Sequence, residues 1–213
     1  MEGYKAIAEQ YQLKVHLDQD LGPFEWKRRM GIHLAFHQNG TNIFLHAVFS
    51  IVNAWAVLLI MFPFQIPGLT IASIPVDLAM VTLALVFIIY ALMDFRTSVL
   101  VTAAYALTYP LCAPMMEWLG GSAWLMVALG VFLTFFALAV QVFIGHGISE
   151  KGLDDATDNF KELFETKNPL YISVLPFYTY LDLLFMLGYR PELAKFIRQM
   201  TDELRPKLEA DQS

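Results

Sequence analysis

The chain has 213 residues, 57% of them apolar, with a net charge of −6 and a positive mean hydropathy. That is too apolar for an ordinary water-soluble domain, and the apolar residues come in long runs, which favours membrane helices over the short alternating strands of a barrel. No basic stripe with interleaved aromatics supports nucleic-acid binding, and a single cysteine, Cys112, rules out an intrachain disulfide or a thiolate metal cluster.

In chain order, residues 1–36 are polar at first and carry no apolar core of a cleavable signal, so the first span is expected to act as its own insertion signal. Four stretches are long enough to cross a bilayer, which needs about 20 apolar residues. They run roughly Ile43–Phe64, Ile74–Met93, Ser98–Leu119 and Ser122–Gly145. The connections are short: an uncharged loop around Gln65–Gly68, then Asp94–Thr97, then Gly120-Gly121. Loops of that length predict an all-α, antiparallel four-helix membrane bundle. A further apolar stretch, Asn168–Tyr189, holds Pro169, Pro176 and Asp182 and reads as an interfacial or re-entrant helix rather than a fifth span. Pro191–Leu208 reads as an amphipathic helix on the membrane surface, or else a solvent-facing tail. The expected organisation is an N-terminal cytoplasmic segment (1–36), a four-span catalytic domain (37–159) and interfacial C-terminal helices (160–213).

Under four spans, all fourteen Lys and Arg fall on one side. Five precede the first span, Arg96 lies in the second connection, and eight follow the fourth span. Positive-inside bias then places both termini in the cytoplasm of a multi-pass protein, in a bacterial inner membrane or the endoplasmic reticulum.

Two polar, histidine-bearing stretches bracket the apolar block: HQNGTNIFLH, from His37 to His46, and GHGISEK, from Gly145 to Lys151. An even number of crossings returns the chain to its starting face, so the two stretches are expected to meet. On one unbroken helix His37 and His46 would point apart, but Asn39-Gly40 is a turn signal, with Thr41 as a helix cap, and a turn there lets His37 fold back over the next helix. Asn42 and His46 then share a face, and His146 and Glu150 have the same spacing. Ionisable groups at a membrane boundary point to function. The candidate set is His37, His46, His146 and Glu150, with Asn42 behind them. His33 is either a further ligand by helical spacing or a surface residue. Imidazole with carboxylate suits iron(II) with open positions, or zinc.

These stretches resemble the H-x4-N-x3-H and Gly-His-x3-Glu motifs of the membrane-bound 2-hydroxy fatty acid dioxygenases, a family of fatty-acid α-oxidation. The likeness covers roughly Phe36 to Asn159 and agrees in order, spacing and span layout. It departs at Val142, where the family often has glutamine (Gln141 is one place off), and at Leu153–Ala156, where the family has Pro-Ala-Leu. The resemblance implies an iron(II) cofactor held by His37, His46 and His146, O₂ as co-substrate, and C1–C2 cleavage of a 2-hydroxy acyl chain with Glu150 close by. Asn42 and Lys151 stand as cofactor- or substrate-contacting candidates, with Lys151 or Arg96 as partners for the carboxylate. The expected partners are a lipid or fatty-acyl substrate and the membrane, not nucleic acid; the sequence leaves the oligomeric state open. Two other classes fit the same residues: another membrane lipid or isoprenoid enzyme, a hydroxylase or cyclase, and a non-enzymatic small membrane protein such as a transporter.

Overall fold

The computed structural model describes residues 26–37, 39–149 and 169–210. The protein is mostly helical. In order come α1 (Trp26–Phe36), α2 (Gly40–Met61), strands β1 (Gln65–Ile71) and β2 (Ile74–Asp77), α3 (Leu78–Met93), α4 (Phe95–Ala106) and a 3₁₀ turn (Tyr109–Leu111). There follow α5 (Cys112–Trp118), α6 (Ala123–Ala139), a π-helix (Val140–Ser149), α7 (Pro169–Met186) and α8 (Pro191–Ala210). The chain divides into two compact units, Met1–Ala47 with Gln141–Ser213, and Val48–Val140.

Three helical stretches among the described residues are long and apolar enough to cross a membrane: Gly40–Met61, Phe95–Trp118 and Ala123–Gly145, of 22, 24 and 23 residues. This is the composition of a membrane protein. The second expected span needs correction. Its first four residues, Ile74–Asp77, are not helical but form β2, which pairs antiparallel with β1. The helix that remains, α3, has 16 residues, about 24 Å at 1.5 Å per residue, against a hydrocarbon core of about 30 Å. The expected loop around Gln65–Gly68 is β1, so the fold is not purely helical. The hairpin turn is Ala72-Ser73, both at positive φ (50° and 66°), as a two-residue turn requires to match strand twist.

Within the Val48–Val140 unit, short connections set antiparallel neighbours. Asp94 alone joins α3 to α4: its backbone N–H ends α3 by donating to Tyr90 O, and its carboxylate accepts from Thr97 N and Oγ1 at 2.9 and 2.8 Å. One residue thus satisfies orphan groups of two helix ends. Leu58 and Leu59 of α2, Ala79 of α3, Cys112 of α5 and Met126 of α6 form one buried cluster. Gly130 lets α6 approach α2 closely: a Cβ there would come within 2.6 Å of both Ala56 O and Ile60 Cγ1. Pro110 interrupts regular helix between α4 and α5, since proline lacks the N–H that α-helix needs, whereas Pro114 falls in the first turn of α5, where that N–H has no intrahelical partner. Asp77 is buried. It caps α3 by accepting from Met80 N at 2.9 Å and also accepts from Tyr109 Oη at 2.6 Å.

In the other unit, α1 is the centre. α8 buries Ala194, Ile197 and Thr201 and packs along α1, with Thr201 Oγ1 donating to Gly31 O at 3.0 Å. The apolar face expected to lie on a membrane is thus occupied by a helix of the same chain. α7 also packs on α1, with Trp26 and Phe177 edge to face at 5.9 Å. Phe177, Tyr178, Leu181 and Asp182 of α7 are buried.

Candidate metal centre

α1 ends at Phe36 because the chain turns through His37 and Asn39. Asn39, rather than Thr41, starts the next helix: its Oδ1 accepts from Thr41 N at 2.8 Å, and α2 begins at Gly40. The turn places His37 back over the first turn of α2, where its Nδ1 lies 3.0 Å from Asn42 Nδ2. The His37 and His46 rings are then 5.2 Å apart between centroids, at 63°. His33, four residues before His37, joins them with its ring centroid 4.1 Å from that of His37.

The second histidine stretch meets the first through its backbone. Gly145 lies on the π-helix, and a Cβ there would run into Asn42 Oδ1 and stand 3.4 Å from both Asn42 Cγ and His46 Nε2. Only a residue without a side chain lets the π-helix come this close. The π-helix also bears on the displaced glutamine. Gln141 lies five residues before His146 on this π-helix, whose hydrogen bonds run i→i+5. Gln141 is buried. The backbone of His146 lies in the π-helix; its side chain, and the whole of Glu150 and Lys151, lie outside the described residues.

The arrangement can be tested against a metal. Two imidazoles bound to one ion at roughly 2.1 Å have ring centroids about 5 Å apart, and His37 and His46 match that spacing. Asn42 is buried, and its Oδ1 has no hydrogen-bond partner, which costs about 1–3 kcal/mol for a buried acceptor. As placed, the amide N–H donates to His37 Nδ1, leaving the ring proton on Nε2. A half-turn of the amide reverses the roles. Oδ1 then accepts from Nδ1–H, and the Nε2 lone pair is available to a metal, the usual way a ligating histidine is oriented. The ring spacing and the Asn42 amide are thus compatible with ligation of an ion by His37 and His46. Among the described residues, no group of three or more His, Cys, Asp or Glu has the geometry to hold a metal; the third expected imidazole, that of His146, is not among the described side chains.

Residues of α7 enter where the sequence offered no motif. The Tyr178 ring lies 6.1 Å from that of His33, and Asp182, one helical turn on, shares that face. Tyr178 and Asp182 are both buried, as is Arg29, one turn before His33 on α1. For Tyr178 and Asp182 the signal was legible only as polar groups inside an apolar run. In the same helix, burial pushes the Tyr180 phenol above its ordinary range, so it stays neutral through physiological pH.

The chain is mostly helical, with three apolar helices long enough to cross a membrane and a cluster of half-buried histidines around the buried Asn42. Comparison with models of protein families, with curated proteins and with solved structures finds no match for this chain.

Proposed function

We propose that the protein is an iron(II)-dependent dioxygenase that shortens 2-hydroxy fatty acids by one carbon at the cytoplasmic face of a membrane. The observation that carries this reading is the junction of the two histidine stretches: Gly145 seated against Asn42 and His46, with the His37 and His46 rings 5.2 Å apart. Its support is threefold: the motif resemblance, the apolar helices to which the cluster is joined in sequence, and the Asn42–His37 contact that orients one imidazole. The four-span topology with both termini cytoplasmic, with α3 as the short fourth crossing, belongs to the same proposal and rests on the one-sided Lys/Arg distribution.

In this reading His37, His46 and His146 hold the ion, with Glu150 beside it. Iron(II) supplies a centre that brings a 2-hydroxy acid and O₂ together. The chain's own work is orientation and exclusion. Asn42 fixes the His37 tautomer, Gly145 closes the gap between α2 and the π-helix, and apolar side chains accept the acyl tail. Lys151 supplies a cation for the substrate carboxylate.

The test is oxygen consumption by the purified protein with 2-hydroxy fatty acids of several lengths, with and without iron(II), and mass analysis of the shortened acid. Activity that requires iron and disappears in His37→Ala and His146→Ala is the expected result. No turnover with any 2-hydroxy acyl chain, together with unchanged metal content in those variants, overturns it. A product hydroxylated or cyclised without chain shortening would assign the same centre to the hydroxylase or cyclase class. One observation favours a transporter as the second reading: the stretch Phe95–Trp118 is interrupted at Leu107–Leu111, and discontinuous helices build transporter sites. Stoichiometric iron in the purified protein separates the two.

A further inference from the structure

The β1–β2 hairpin leaves its apolar side chains outside the protein. Leu69, Ile71 and Ile74 are 45%, 65% and 56% exposed, and no charged residue occurs from Met30 to Val76. Such a surface in water is an aggregation liability, and natural hairpins blunt it with charge. This one has none on its exposed face, since its Asp77 is buried against Tyr109, so it is built for a less polar medium.

The surroundings say which medium. The hairpin continues from α2, an apolar helix long enough to span, and leads into α3, which is about 6 Å too short for a bilayer core. Leu58 and Leu59, just before the hairpin, and Ala79, just after it, share a cluster with Cys112 and Met126. The Leu119–Ser122 turn, between α5 and α6, therefore emerges at the same end as the hairpin. Trp118 and Trp124 flank that turn and are 78% and 79% exposed. Exposed tryptophans at span ends mark the headgroup level, and Glu117, exposed beside them, needs a polar layer. Depth is bounded from the other direction too. A two-stranded ribbon has open hydrogen-bonding edges, which hydrocarbon cannot satisfy and the wet interface can.

We infer that the β1–β2 hairpin is a membrane-interface anchor, seated in the headgroup and carbonyl layer of a phospholipid bilayer with Ile71 and Ile74 inserted, level with Trp118 and Trp124. It rests on the membrane reading of the apolar helices. The hairpin holds that end of the bundle at fixed depth.

The test places the full 213-residue chain in phosphatidylcholine nanodiscs. Ile71→Cys, Ile74→Cys and, midway along α3, Leu85→Cys each carry an environment-sensitive nitrobenzoxadiazole label. The unsubstituted protein reports any labelling of buried Cys112. At positions 71 and 74 the expected emission is blue-shifted from the free label, quenched by lipid spin-labelled near the headgroup and shielded from aqueous iodide. At position 85 quenching comes from lipid spin-labelled deep in the acyl chain. Iodide quenching at 71 and 74 equal to that of the free label, with position 85 still quenched by deep lipid, overturns the anchor alone. Disulfide cross-linking between two copies through Ile71→Cys also overturns it, assigning the strand edge to self-pairing. Loss of lipid quenching at position 85 as well overturns the membrane reading beneath it.

Discussion

Gly145→Ala tests the junction on which the candidate centre depends. The new Cβ would overlap Asn42 Oδ1 and sit 3.4 Å from Asn42 Cγ and His46 Nε2. Asn42 cannot retreat easily, because it is fully buried and its other end holds His37 at 3.0 Å. Either the amide moves and releases His37, or the π-helix backs away from α2 with His146 on it. Overpacking of this kind costs about 1–3 kcal/mol, and a displacement of about 1 Å at a reacting centre lowers turnover roughly 100-fold. The expected result is a protein that still inserts in membranes and keeps its helical circular dichroism, but loses most bound iron by metal analysis and its 2-hydroxy acid turnover. Gly130→Ala is the comparison. Its Cβ would press on Ala56 O and Ile60, far along the sequence from either histidine stretch, so it lowers the thermal midpoint while iron content per folded protein stays near one. Wild-type iron content and turnover in Gly145→Ala would refute the reasoning, because the close contact would then be without consequence.

Three other outcomes follow from the same geometry. Asn42→Leu removes the polar partner of His37 while filling its volume, and iron affinity falls about 10–100-fold, as for loss of a ligand's outer partner, measured by competition with a chelator. Ser73→Gly relieves a left-handed non-glycine residue in the hairpin turn, where strain of about 1–2 kcal/mol exceeds the extra backbone entropy of glycine; the thermal midpoint rises and iron content is unchanged. Tyr180 is held neutral by burial, with its folded pKa above the ordinary value of 10.0. The unfolded phenol therefore ionises first as pH rises, so this stabilisation is complete below about pH 10 and is lost progressively above it. Tyr180→Phe flattens that alkaline limb in a pH series of thermal midpoints.

Much of the candidate centre was legible before folding. His37, Asn42 and His46 declared themselves by spacing, and Asn39-Gly40 by its turn chemistry, since an Asx side chain and a glycine suit the break that brings His37 over α2. His33 was ambiguous, because i, i+4 spacing puts it on the face of His37 without saying what that face meets; the structure sets its ring 4.1 Å from that of His37 and 6.1 Å from that of Tyr178. Tyr178 and Asp182 were not legible as neighbours of the centre. They are more than 130 residues from His46 in sequence, and only the packing of α7 on α1 brings Tyr178 to His33. The hairpin was hidden for a local reason. Ala-Ser has none of the preference for positive φ that makes Asn-Gly a recognisable two-residue turn, and Ile74–Asp77 continues the apolar run of α3, so hydropathy alone merged strand and helix into one span.

By itself the sequence determined the positions of three long apolar helices and the two histidine stretches that form the candidate centre, because hydrophobic run length and short-range spacing are properties of the chain read in order. The tertiary structure decided the rest. It shortened α3, turned the apolar face of α8 onto α1, buried Asp77 against Tyr109, and set Gly145 against Asn42 and His46. All but the hairpin that shortens α3 are contacts between residues distant in sequence, and their energy depends on surfaces that exist only once both partners are folded.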